Sequence, residues 1–190
     1  GSNKLLFKLS GIFLNLSTKI IFVSEGVRES FQSKIFLRRN KSSVILNGTK
    51  LQDQSLILRH PKKTKKNILA VGRLSSQKDF KTTLHAFSLA LEHRNDMILN
   101  IVGDGPEMNN LKQTAKILGI SQYINFAGSV IDPTSYFLDA DVFIHSSYYD
   151  GMPMVLIEAL SFGISIISTD TPYGPKEILS DGKFGDIVPI

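Results

Sequence analysis

Ile68-Leu69-Ala70-Val71-Gly72-Arg73-Leu74 opens the most regular part of this chain. A helical stretch follows, with Leu84, Phe87, Ala90 and Leu91 at helical spacing. Then comes Met97-Ile98-Leu99-Asn100-Ile101-Val102-Gly103, a second apolar run closed by glycine. An unbroken apolar run bounded by Gly reads as a strand buried on both faces, and the periodic stretch between as a helix. Strand, helix and strand in that order are a βαβ unit, whose strands run parallel.

The alternation continues to the end of the chain. Pro106-Glu107 opens a helix to about Leu118, with Pro106 expected at the first helical position. Tyr123-Ile124-Asn125-Phe126 reads as a strand, Pro133 to Leu138 as a short helix, and Val142-Phe143-Ile144 as a strand. Met154 to Phe162 reads as a helix, Ile164-Ser165-Ile166-Ile167 as a strand, Lys176-Glu177-Ile178 as a helical turn and Ile187-Val188 as a last strand. The fold class is α/β, a Rossmann-like parallel sheet with helices on both faces and right-handed crossovers. Ligands of such sheets lie beyond the carboxyl ends of the strands.

Working toward the amino end, three segments are expected: a first unit at 1–50, a linker at 51–66 and the parallel-sheet domain at 67–190. In the first, Lys4 to Leu16 reads as a helix with Leu5, Leu9, Ile12, Phe13 and Leu16 on one core-facing face. It is too short and too polar to span a bilayer, no cleavage site follows it, and flanking Lys leave interfacial contact open. Ile20-Ile21-Phe22-Val23 reads as a buried strand, and Ser24 as the N-cap of a helix through about Phe36. Ser43-Val44-Ile45-Leu46 reads as a second strand, ending at the turn signal Asn47-Gly48. Residues 51–66 lack an apolar period and contain Lys62-Lys63-Thr64-Lys65-Lys66.

Composition narrows the chemistry. The 190 residues are 42% hydrophobic and 21% charged, enough for a real core. There is no Cys, which excludes disulfides, thiolate zinc sites and a Cys nucleophile. His60, His85, His93 and His145 show no metal-ligand spacing, so no metal is expected. The net charge of +5 is uneven: residues 1–66 carry fourteen Lys/Arg against three acids, residues 67–190 eight against fourteen. A basic first part can face an anionic partner, a membrane surface or nucleic acid, or can be a solvated linker. The excess sits in the linker and the first unit without interleaved aromatics, which argues against nucleic acid.

The loops after the strands hold the candidate site. After Val71 come Gly72, Arg73 and Lys78: a turn and two cations, a bidentate clamp and a point charge for a phosphate. Gly103-Asp104-Gly105-Pro106 lacks the third glycine of a dinucleotide fingerprint, Met108 standing there. Gly128, Ser129 and Val130 offer a loop on which a flat base could lie. Asp150-Gly151-Met152-Pro153-Met154-Val155 runs straight into an apolar helix, whose first N–H groups suit a diphosphate. Asp150 and Glu158 place two carboxylates there, fit for acid/base work or for holding sugar hydroxyls. As plain structure, Asp150 would cap the helix and Glu158 would be a surface residue. Thr169-Asp170-Thr171-Pro172-Tyr173-Gly174-Pro175 is a rigid turn or pocket wall.

These segments resemble the retaining family-4 glycosyltransferases of the GT-B fold. The resemblance rests on Val71-Gly72-Arg73-Leu74 with Lys78, on Gly103-Asp104-Gly105-Pro106-Glu107, and on Phe126-Ala127-Gly128. It continues through Ala140-Asp141-Val142-Phe143, Asp150-Gly151 to Glu158-Ala159-Leu160, and Thr169-Asp170 to Leu179. Residues 20–50 look like the end of that family's first, acceptor-side domain.

The resemblance implies metal-independent transfer of a sugar from a nucleotide-sugar donor, with retention and no cofactor. It implies that Arg73 and Lys78 bind the diphosphate. The backbone of Gly128, Ser129 and Val130 meets the base, and Glu158 holds the ribose. Asp150, an Asp where the family usually has Glu, contacts the donor sugar. Gly72, Gly151, Met152, Met154 and Val155 complete the donor site. It implies a UDP-hexose or UDP-N-acetylhexosamine donor and a glycan or lipid-linked acceptor in bacterial surface polysaccharide synthesis, such as capsule or lipopolysaccharide. The enzyme is then cytoplasmic or peripheral at the inner membrane face. It also implies a donor-binding piece, short of most of the acceptor domain and of the closing helices, and inactive alone. A GT-B epimerase, synthase or phosphorylase, or a nucleotide-binding module without catalysis, are the alternatives.

Overall fold

The computed structural model describes residue 11 and residues 13–35, 41–51 and 65–190. The first unit holds β1 (Ile20–Phe22), α1 (Glu25–Lys34) and β2 (Ser42–Val44). Its strands are parallel, Ile20 opposite Ser42 and Phe22 opposite Val44. The second holds β3 (Lys66–Val71), α2 (Phe80–His93), β4 (Met97–Val102), α3 (Met108–Ile117), β5 (Ile124–Gly128), α4 (Thr134–Asp139), β6 (Val142–His145), α5 (Met154–Ser161), β7 (Ser165–Thr169), α6 (Pro175–Ile178) and β8 (Asp186–Val188). Strands β3 to β8 form one parallel sheet in the order β5-β4-β3-β6-β7-β8.

The sheet reads as continuous apolar runs because both its faces are covered. On one face Ile68, Ala70, Leu99 and Ile101 lie under Phe80, Leu84 and Phe87 of α2 and Leu111 and Ala115 of α3. On the other, Leu69, Phe143 and Ile166 lie under Phe137 of α4, Leu156 and Ala159 of α5, and Leu179. Phe137 stacks on Phe162 with centroids 5.1 Å apart and on Phe143 at 5.8 Å. Each fully buried Leu or Phe stabilises the fold by about 1.5–3 kcal/mol.

The register opens a crevice. At the amino ends, Asn67 N–H donates to Asp141 Oδ2 at 2.8 Å, and Lys66 Nζ lies 3.0 Å from Asp141 Oδ1. β3 and β6 then pair at only two positions, Ile68 with Val142 and Leu69 with Phe143. Beyond Leu69, β3 follows β4 to Val71, while β6 follows β7 to the His145–Ser168 pair. The sheet therefore splits at its carboxyl edge between β3 and β6, where the strand order reverses. This is the position at which such sheets bind ligands.

Several local expectations shift. Strand β3 begins at Lys66, and α3 begins at Met108 with Glu107 as its N-cap, so Pro106 lies before the helix rather than at its first position. Residues 13–16 are helical, but Phe13 and Leu16 are exposed, at 70% and 76%. The core-facing side is Leu14, which packs on Ile20, Phe22 and Ile35. Leu5, Leu9 and Ile12, expected on the same face, lie outside the described residues, as do residues 52–64 of the expected linker. Ile21 is also exposed, since β1 alternates where a buried run was expected. Lys41 Nζ donates to the carbonyls of Asn15 and Ser17 at 2.5 and 2.9 Å, so this cation of the basic first part closes a helix end.

Ser24 caps α1 as expected, accepting from Val27 N–H at 3.2 Å. The two units touch through α1: Tyr173 donates its hydroxyl to Ser30 Oγ at 2.6 Å, and Glu177 Oε2 accepts the Glu25 N–H at 3.1 Å. Among the described residues no helix is long and apolar enough to cross a membrane.

Candidate active site

Two loops face each other across the crevice, the one after β3 and the one after β6. The first is stiffened from outside by the loop after β4. Leu74 N–H donates to Asp104 O at 3.0 Å, and Glu107 N–H to Leu74 O at 2.9 Å. That stacking needs Gly103, because a Cβ there would stand 1.9 Å from Gly72 O. Glycine in the loop after β4 therefore serves close approach between backbones.

Lys78 lies in a short 3-10 turn, Ser76–Lys78, just before α2. Asp79 follows in the left-handed conformation and caps α2, accepting from Thr82 N–H at 3.3 Å and Thr82 Oγ1 at 2.5 Å. The second loop is tied to this turn. Ser146 donates its hydroxyl to Lys78 O at 2.9 Å, and Thr83 donates its own to Ser146 Oγ at 2.8 Å. Tyr148 N–H donates to Gln77 O at 2.9 Å, and the Gln77 amide to Tyr149 O at 2.8 Å. Thr169 Oγ1 braces the loop from β7 by donating to Ser147 O at 2.7 Å. Asp79 also meets the Tyr148 hydroxyl and pushes it above the ordinary phenol range.

These ties bring Asp150 to Lys78. Lys78 Nζ is hydrogen-bonded and ion-paired to Asp150 Oδ2, with both side chains largely buried. Asp150 Oδ1 accepts the Gly151 N–H at 3.1 Å. Asp150 does not cap α5: Pro153 is the N-cap and supplies no side-chain bond. His145 approaches the same carboxylate, Nε2 at 3.5 Å from Asp150 Oδ2. Burial pushes the Asp150 carboxyl upward, but hydrogen bonds and charge from His145 and Lys78 outweigh it and hold it at about 2.

The other expected residues sit around this pair. Arg73 is exposed, and its guanidinium has no hydrogen bond or ion pair among the described residues. It is not drawn into the Lys78–Asp150 pair. Gly128 ends β5 with φ +72°, its carbonyl accepting from Gly103 N–H at 2.8 Å. Ser129 is exposed, whereas the Val130 side chain packs on the core. Met154 and Val155 are the first two residues of α5, where N–H groups lack helical acceptors. Val155 turns its side chain to the core. Met152 is half-buried beside them, and Gly72 ends the crevice wall at β3. Of the backbone donors expected here, Gly151 is already engaged by Asp150. Glu158 lies half-buried one turn into α5, its carboxylate free of partners among the described residues. Gly174 closes the wall from the α6 side; a Cβ there would stand 2.5 Å from Pro153 Cδ.

Sequence reasoning missed His145. It weighed the residue only as a metal ligand, and a histidine at the end of an apolar strand carries no periodic signal. Its position one strand residue before the Ser146-Ser147 loop was the available clue.

This arrangement can hold an anion at Arg73, Lys78 and the α5 N-terminus, and a hydroxylated ring at Asp150 and Glu158. Comparison with known proteins agrees in kind. The chain is 31% identical over 182 residues to an uncharacterized glycosyltransferase of Haemophilus influenzae, covering 95% of this chain and 50% of that protein. The structure of the lipopolysaccharide outer core galactosyltransferase WaaB superposes with TM-score 0.75 at 25% identity, over 91% of this chain and 49% of WaaB. Anabaena Alr3699/HepE, solved in complex with UDP, superposes with TM-score 0.84 at 20% identity, over 98% of this chain and 54% of HepE, a likeness of fold. The chain thus spans about half the length of these proteins. The family model of glycosyl transferases group 1 matches residues 55–189, the crevice and both its loops included, and the chain belongs to that family of GT-B glycosyltransferases.

Proposed function

We propose that this chain forms the donor half of a retaining glycosyltransferase that takes a hexose or N-acetylhexosamine from a nucleotide-sugar, with UDP as the preferred nucleotide. The observation that carries the reading is the Lys78–Asp150 pair in the β3/β6 crevice, beside the uncapped start of α5. A diphosphate there meets the Arg73 guanidinium, the Lys78 ammonium and the Met154 and Val155 N–H groups. These donors stabilise the charge that develops as the sugar leaves. Asp150 receives hydroxyls of the sugar and Glu158 those of the ribose. The charge is carried by protein donors, so the reaction needs no metal in this reading. The UDP complex of HepE supports UDP as the nucleotide.

For the whole protein, the acceptor is a glycan or a lipid-linked glycan of bacterial surface polysaccharide synthesis, as the likeness to WaaB supports. The exposed Phe13 and Leu16 and the basic first part fit peripheral contact with an anionic membrane. Transfer takes place between two domains in this reading, so donor binding is asked of this chain and transfer of the full-length protein.

Calorimetric titration with UDP, GDP and ADP, with and without EDTA, tests the donor. UDP should bind selectively, without metal, and Glu158→Ala should lose most of that affinity. Equal affinity for all three nucleotides, or a Glu158→Ala variant that binds like the parent, would refute the assignment. Selective GDP binding would move the donor to a GDP-sugar.

A further inference from the structure

One buried titratable side chain at the site has no task in the reading above. His145 ends β6 and is 5% exposed. Its Nδ1 lies 2.9 Å from Ser168 Oγ on β7. Its Nε2 is buried without a hydrogen-bond partner among the described residues, and Asp150 Oδ2 lies 3.5 Å from it. The charged groups gathered on this ring are Asp150 and, through it, Lys78.

Hydrogen-bond accounting decides what Nε2 carries. The Ser168 hydroxyl also reaches Thr169 O at 3.1 Å. If it donates to that carbonyl, it accepts from Nδ1–H. A neutral ring would then aim the Nε2 lone pair at a carboxylate oxygen, which repels it, so this arrangement is disfavoured. If it donates to Nδ1 instead, the neutral ring carries its hydrogen on Nε2. This second arrangement points Nε2–H at Asp150 and is the one the carboxylate favours.

Lys78 and His145 hold the same oxygen by different means. Lys78 has a flexible stem and three donors, and in the proposed function it also serves a diphosphate. His145 is fixed by its strand, by burial and by Ser168. We propose that His145 is a positioning residue for donor-sugar recognition: its Nε2–H holds the Asp150 carboxylate in place when Lys78 turns to the diphosphate. This rests on the reading of Asp150 as the donor-sugar contact.

The test has two arms. In the first, 15N NMR of the imidazole of this chain at neutral pH should show Nε2 protonated, with its shift changed in Asp150→Asn. An unprotonated Nε2 overturns the proposal. In the second, calorimetry compares UDP with UDP-glucose and UDP-N-acetylglucosamine. His145→Leu should keep parent-like UDP affinity, which also shows that it folds. It should lose about tenfold of the extra affinity that the sugar adds, the size of a hydrogen bond to a charged group. His145→Gln, which keeps an N–H donor, should recover most of it. Undiminished UDP-sugar affinity in His145→Leu overturns the proposal, as does a parent for which neither sugar adds affinity to UDP. A parent that binds no nucleotide refutes the donor-site reading instead, and the NMR arm still decides whether His145 holds Asp150.

Discussion

Glu177 caps a helix that begins 152 residues earlier in the chain: its carboxylate oxygens lie 3.1 and 3.4 Å from the Glu25 N–H, at the start of α1. The carboxylate satisfies a donor with no partner within the helix and opposes the positive end of the helix dipole. With the Tyr173–Ser30 bond, it holds the first unit against the wall of the crevice.

Removing that cap should loosen the contact without disturbing the sheet. Glu177→Ala should cost about 1 kcal/mol of stability, the usual value of a helix cap. Hydrogen exchange should accelerate in α1 and stay unchanged in β3 and β4. Uniform acceleration across the chain would contradict a local role.

Asp150 gives the stability a defined acid dependence. Its folded pKa of about 2 lies below the ordinary unfolded value of about 3.9, so its contribution is fully present above about pH 4. That contribution, roughly 2–3 kcal/mol at most, is lost as the pH falls from about 4 through 2. Urea denaturation between pH 2 and 5 should show a smaller loss of stability in Asp150→Asn than in the parent. Parallel curves for the two proteins would refute the assignment.

The two cations should separate by what their removal does. Arg73 has no partner among the described residues, whereas Lys78 is paired with a largely buried carboxylate. Arg73→Ala should therefore leave the Tm unchanged and weaken UDP binding about tenfold, as loss of one charge-assisted contact does. Lys78→Ala should weaken UDP binding and also lower stability, because Asp150 loses its cation and keeps only the Gly151 N–H and His145. Equal Tm values for the two variants would show that the Lys78–Asp150 pair adds nothing to the fold.

Close backbone approach makes a third site sensitive. Gly103→Ala places a methyl 1.9 Å from Gly72 O, where neither backbone can yield without breaking the stacked loops. A destabilisation of about 3 kcal/mol is expected, at the upper end of overpacking costs. Nucleotide binding should fall with it, since the displaced loop carries Arg73 and Lys78. A parent-like denaturation curve would mean that the two loops separate at no cost.

Much of the architecture was legible because its signals are local. Apolar runs ended by Gly mark β3 and β4, and the helical spacing of Leu84 and Phe87 marks α2, whichever strand lies next door. Asp150, Glu158, Arg73 and Lys78 were legible as candidates because they follow the carboxyl ends of strands, where ligands of such sheets lie. Local patterns misled where the covering partner was not local. The apolar Phe13 and Leu16 are as hydrophobic as Leu14, and only packing against Ile20, Phe22 and Ile35 distinguishes the buried one.

Tertiary structure alone decided which of these residues meet. Lys78 and Asp150 are 72 positions apart, and His145 meets Ser168 across 23. Those encounters depend on β6 crossing back to lie beside β3, and on β3 and β6 parting after two paired positions. Strand order and register follow from the summed packing of both faces of the sheet, which no short stretch of sequence contains. The residue types at the site belong to the sequence; the joining of one carboxylate to a lysine, a histidine and a helix start belongs to the fold.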